Sequence, residues 1–182
     1  HLCDRRQRQM CIRDRQIDIE IQVTASEYWA ERTLFYLGKM FTDQLKPGED
    51  YQKLEKCIHI GILNFTMFED EEYYSCFHFW SDQGRKMYSD KVEIHTLELP
   101  KLAKYEYPET ELLKWLQFIN AETKEEFEMA AEKSEYIKKA YEDLNRISAD
   151  EEKRLEYEAR ERAIRDHQYF STVYKNLSLI HI

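Results

Sequence analysis

The chain has 182 residues, a formal net charge of −9, 35% charged residues and 14% aromatic residues. Its acidic balance excludes broad electrostatic capture of DNA, because Lys and Arg neutralising phosphates supply most non-specific affinity, so any DNA contact has to be local. No stretch approaches the roughly 18 apolar residues of a membrane span, and the four cysteines show no CxxC or Cys/His metal spacing, which points to a reduced, cytoplasmic protein with no membrane partner.

In chain order, residues 1–15, HLCDRRQRQMCIRDR, scatter five arginines among glutamines with neither helical nor strand periodicity. Arg5 to Arg15 can be back-translated into the adapter and transposon end of a tagmentation library, and Leu177 to Ile182 into the reverse complement of that transposon end. Two matches in opposed orientation are what an insert between two adapters would give, and such scars are set aside before fold reasoning. The expectation is that 1–15 and 177–182 are adapter-derived, that Asp14 carries no role, and that removing five Arg and two Asp leaves a truncated natural part of net charge −12.

Gln16 to Val23, QIDIEIQV, alternates strictly, with Ile17, Ile19 and Ile21 on one face and Asp18, Glu20 and Gln22 on the other, the pattern of a half-buried strand. Ser26 is an N-cap candidate for a helix through YWAERTLFYLGKMFTDQL, whose apolar stripe is Trp29, Thr33, Tyr36, Leu37, Met40 and Phe41 and which Pro47-Gly48 ends. CIHIGILNFTMF, within 55–68, has the length and β-branched character of a central buried strand. Strands over 73–80 and 92–99 follow around a turn at Asp82-Gln83-Gly84. From Glu109 the composition turns to Glu, Lys, Ala and Tyr, predicting helices over 109–119, 123–146 and 149–175, the last capped by Ser148 or Asp150.

Residues two apart on a strand share a face, so Asp18, Glu20 and Gln22 converge. Metal-assisted phosphodiester cleavage needs hard oxygen ligands in this arrangement. The pattern alone equally describes a polar strand face turned to solvent. His59, His78, His95 and His167 form no metal-ligand spacing and receive no role.

IDIEIQ (17–22), Arg32 and Tyr36 as R-x-x-x-Y on the next helix, KPGEDYQKLEKCIHIGILNF (46–65), EIHTLELPKL (93–102) and ISADEEKRLEYEARERAIRD (147–166) together resemble the PD-(D/E)XK nuclease family transposases, of recombination-promoting nuclease type. The resemblance implies an α/β fold: a truncated, restriction-endonuclease-like mixed sheet core over 16–108 followed by an α-helical C-terminal region over 109–176. It implies a DNA endonuclease that hydrolyses phosphodiester bonds with Mg²⁺-activated water. Glu20 matches the acidic residue of the D/E-x-K element and would bind Mg²⁺ with the backbone carbonyl of Ile21, with Asp18 as auxiliary ligand.

Gln22 stands where related nucleases carry lysine and would orient water or a phosphate oxygen, since an amide is neither a cation nor a ready base. Arg32 and Tyr36 would support the phosphate side, or serve packing alone. The family's first metal-binding Asp belongs on the preceding strand, which the adapter has replaced, so the fragment is expected to be inactive and to expose the edge of its IDIEIQ strand. Glu98, Pro100 and Lys101 read as the end of a strand and the start of a connection, and the charged helix after 149 as a solvated surface or a homo-oligomer contact. The alternatives are a non-catalytic nuclease-fold module that binds DNA or protein, and a helical scaffold with a small structural sheet. The nuclease reading needs the IDIEIQ strand beside CIHIGILNF, with Glu20 facing a cleft.

Overall fold

The computed structural model describes residues 6–11, 15–149 and 154–164, with burial and side-chain contacts from Arg15 onward. The expectations for 177–182, for Asp14, Asp150 and His167, and for the last helix beyond 164 lie outside these residues. The chain divides into two compact units at Pro108/Glu109.

The first unit is a five-stranded mixed sheet in the order β1-β2-β3-β5-β4. Its strands are β1 (Arg6–Cys11), β2 (Arg15–Gln22), β3 (Lys56–Leu63), β4 (Tyr74–Trp80) and β5 (Met87–Glu98). β2 and β3 are parallel, as are β3 and β5, while β1 and β4 run antiparallel to β2 and β5. The IDIEIQ and CIHIGIL strands are therefore neighbours. Both faces of β3 are covered, which its near-continuous apolar run requires.

β1 is a correction to the sequence analysis, because Arg6–Cys11 pairs antiparallel with β2 from Arg6↔Ile21 to Cys11↔Gln16. A sheet edge offers unpaired N–H and C=O groups, and an extended segment satisfies them whatever its side chains. Periodicity, a side-chain signal, could not have found this strand. The edge of β2 is accordingly paired over this stretch.

α1 (Trp29–Thr42) follows β2 and lies on one face of the sheet. Its stripe is confirmed, since Trp29, Thr33, Leu37 and Met40 are buried, and Leu37 and Met40 form a core with Cys57 that Phe41, Val92 and Ile94 extend. Its ends differ from expectation. The N-cap is Tyr28 without a side-chain bond, and Ser26 contributes only its carbonyl, which accepts from the Trp29 N–H at 3.2 Å. The helix stops at Thr42, whose hydroxyl donates to the Gly38 and Lys39 carbonyls, well before Gly48 takes up φ 87°. Gly61 of β3 lies beneath Trp29, and a Cβ there would come within 2.7 Å of the indole. Only glycine admits that approach.

β4 and β5 form a hairpin through Asp82–Gly84, with Gly84 at φ 78° and the Ser81 N–H donating to the Lys86 carbonyl at 2.9 Å. β5 starts five residues earlier than the apolar pattern suggested, since the hairpin continues along an exposed edge where alternation is weak.

A buried ion pair closes the unit. Glu98 and Lys101 are each 1% exposed and bonded at 3.0 Å. Glu98 Oε2 accepts from the Met67 N–H at 2.6 Å, and Lys101 donates to Asp70 and to the Glu72 carbonyl. Burial alone would lower the Lys101 ammonium's pKa; hydrogen bonds from it to Asp70 and Glu98 hold it above its usual range instead. The ELPK element thus fastens the 64–73 connection to the end of β5, a larger role than ending a strand.

The second unit holds α2 (Glu111–Asn120), α3 (Lys124–Glu132), α4 (Glu135–Ala149) and a helix at 154–164, α5. Thr110 caps α2, and Thr123 with Glu126 forms a capping box on α3. The helix expected over 123–146 is two. α3 ends at Glu132 and α4 begins at Glu135, so that Phe127 stacks on Tyr141 with ring centroids 6.0 Å apart while Ala130, Ala131 and Ile137 are buried. Packing sets this break without Gly or Pro. Ser148 is inside α4 rather than capping the next helix.

Candidate active site

Parallel register puts β2 and β3 side chains on common faces. Ile17, Ile19 and Ile21 align with Ile58, Ile60 and Ile62, and on the other face Asp18, Glu20 and Gln22 align with His59, Gly61 and Leu63. α1 covers this second face. Asp18 and Glu20 are each 2% exposed, so the polar face of IDIEIQ is neither a solvent edge nor an open cleft. A buried carboxylate demands partners, and the residues around it supply them.

The Arg32 guanidinium on α1 donates to Glu20 Oε1 at 2.5 Å and to Gln22 Oε1 at 3.0 Å through the same nitrogen. It lies over the Trp29 ring, 4.8 Å from the centroid, a cation–π contact that holds it flat against the helix. Gln22 uses its other end too, its amide N–H donating to the Thr24 carbonyl at 2.8 Å, so the oxygen is turned toward Arg32. Asp18 Oδ2 and His59 Nδ1 are 3.0 Å apart, both buried, and the His59 ring packs against Trp29 at 5.8 Å.

The structure thus joins Glu20, Gln22 and Arg32 in one network and sets Asp18 beside it, about 6.6 Å along the strand from Glu20 by strand rise. Ile21, whose carbonyl was the expected extra ligand, points its side chain to the opposite face between β1 and β3. Tyr36 stands one turn beyond Arg32, half-buried and edge-on to Phe35.

His59 is the residue that sequence reasoning missed. A signal existed: Ile58, Ile60 and Ile62 alternate within the apolar run, and matching them to Ile17, Ile19 and Ile21 sets His59 beside Asp18. His78 and His95 belong to the opposite face, where both bond Glu93.

A family model for PD-(D/E)XK nuclease family transposases matches residues 11–172. The chain belongs to that family. No curated protein and no solved structure matches it. The mixed sheet with its helical C-terminal unit is the α/β architecture of a nuclease-type, transposase-type protein.

Nucleases of this class are generally divalent-metal dependent, and the chemistry of the donor set fits such an ion. Asp18 and Glu20 offer hard carboxylate oxygens from one strand, and Mg²⁺ commonly takes one or two carboxylates, with water and substrate phosphate completing its shell. Among the described residues no third acidic, His or Cys side chain completes a protein cage around them. Among the described residues Arg32 pairs with Glu20, and His59 lies against Asp18.

Proposed function

We propose that this chain carries the metal-binding strand of a DNA endonuclease that hydrolyses phosphodiester bonds. The observation that carries the reading is the burial of Asp18 and Glu20 side by side under α1 in a chain of a nuclease family. Asp18 and Glu20 would hold Mg²⁺, which when bound polarises the phosphate and lowers the pKa of an attacking water.

The chain's own groups do the positioning. Arg32 fixes the Glu20 carboxylate and presents a permanent cation toward a phosphate oxygen. Gln22, engaged at both ends, holds Arg32 in place in preference to binding water, and His59 fixes the rotamer of Asp18. The exposed thiol of Cys76 accords with a cytoplasmic setting.

A second reading has its own support. The strand beside β2, RQRQMC, contains no carboxylate, and Glu20 already has a cation partner without a metal. Both fit a non-catalytic module that binds DNA or protein. Nicking of supercoiled plasmid in Mg²⁺ or Mn²⁺ separates the two. Against the inactivity expected of a fragment, the endonuclease reading expects metal-dependent nicking that falls at least about 100-fold in Glu20→Gln, the scale seen when a metal site loses a supporting group. Metal-independent binding without nicking would favour the module.

A further inference from the structure

Beside the acidic pair, on the same face of the sheet, a cavity of about 390 Å³ opens between α1, the 67–68 connection and the β4–β5 hairpin. Its volume falls within the ~300–1,000 Å³ usual for small-ligand sites. Trp29, Phe68, Phe77 and Phe79 supply aromatic walls, and Phe77 and Phe79 stand at the mouth, 42% and 53% exposed.

Polar residues interrupt this apolar lining: His78, whose ring is bonded to Glu93, and two threonines. Thr33 of α1 and Thr96 of β5 are each 3% exposed, and among the described residues neither hydroxyl oxygen has a hydrogen-bond partner. Buried polar groups in folded proteins are nearly always bonded, so orphaned hydroxyls in a cavity call for a partner that enters it. A hydroxyl both donates and accepts. The complementary ligand is flat, with apolar faces for the aromatic walls and a hydrogen-bonding edge for the threonines.

Trp29 ties the cavity to the acidic site. It lines the cavity, and the guanidinium bonded to Glu20 lies over its ring. We propose that the cavity receives a nucleobase swung out of the DNA stack, which places the attached phosphate on the Arg32 side of Trp29. The proposal rests on DNA as the substrate. Enzymes that handle single nucleotides hold extruded bases in this manner, between apolar walls and read at the edge.

The test is binding of a single-stranded oligonucleotide carrying 2-aminopurine, in EDTA so that no cleavage intervenes, followed by aminopurine and tryptophan fluorescence. Wild type is expected to change the aminopurine signal. Phe77→Ala, at the exposed mouth, should weaken binding about tenfold, and Thr96→Val, which removes only the hydroxyl, several-fold, with melting temperatures monitored to show that both variants fold. An aminopurine signal identical in wild type and folded Phe77→Ala overturns the proposal, as does binding with no aminopurine change. Plasmid nicking alongside such a result would sink the base pocket and spare the endonuclease reading. Base binding without nicking in any metal would sink the endonuclease reading and spare the pocket.

Discussion

Two carboxylates on opposite faces of one sheet meet different fates. Glu93, on the face away from α1, is bonded through Oε1 to Lys56 and His78 and through Oε2 to His95. Glu20, under α1, is 2% exposed, and among the described residues its recorded partner is Arg32 on Oε1. Glu93 has spent its acceptor capacity on three neighbours, whereas among the described residues the side-chain bond of Glu20 is the one from Arg32. A saturated carboxylate is a structural tie. Glu20, buried beside a second carboxylate, is the one that the proposed function assigns to a metal.

A third carboxylate sets the scale of the saturated case. Glu98 is enclosed with Lys101, and removing one partner of a buried pair leaves the other charge stranded, a loss of ~3–5 kcal/mol. Lys101→Met should therefore lower chemical-denaturation stability by about that amount. A change under about 1 kcal/mol would show that Glu98 is held by the Met67 and Phe68 N–H groups alone.

The Glu20 side depends on α1 staying close to β3. Gly61→Ala would force a Cβ to within 2.7 Å of the Trp29 ring, which is itself buried and rigid. Overpacking of this kind costs ~1–3 kcal/mol. The melting temperature should fall accordingly, and nicking more steeply than stability, since Trp29 also seats Arg32. Unchanged stability would mean that α1 is not clamped there.

The smallest effect concerns Glu93. Burial pushes its carboxyl up, but hydrogen bonds from Lys56 and His78 overcome this and bring it to about 2. A depressed carboxyl contributes stability that is full above its ordinary 4.5 and is lost as pH falls toward about 2. Stability measured from pH 5 down to pH 2 should fall less steeply in Glu93→Gln than in wild type, by about 1 kcal/mol across the range. Parallel slopes would mean that Lys56, His78 and His95 do not hold the charge.

Much of this arrangement was legible in the sequence where one face of an element is buried. The α1 stripe announces itself because burial on one side imposes a period of 3.6, and IDIEIQ shows its period of 2 although Asp18 and Glu20 are more buried than its isoleucines. The apolar run of β3 did so because both its faces are covered. What stayed hidden depends on partners distant in sequence. β1 exists through backbone pairing, the α3/α4 break through Phe127 on Tyr141, and the Glu98–Lys101 tie through a connection some thirty residues upstream. Within the candidate site, Glu20, Gln22, Asp18 and Arg32 were named from the motif, and the structure brings them together. His59 was overlooked because a histidine within an isoleucine run gives no local sign of the strand beside it.

Calorimetric titration of Mg²⁺ or Mn²⁺ into wild type, Glu20→Gln and Glu93→Gln tests the central claim most directly. The account predicts one divalent ion per chain in wild type, affinity at least about tenfold weaker in Glu20→Gln, and affinity unchanged in Glu93→Gln. Equal binding by wild type and Glu20→Gln, or loss of binding in Glu93→Gln instead, would contradict it.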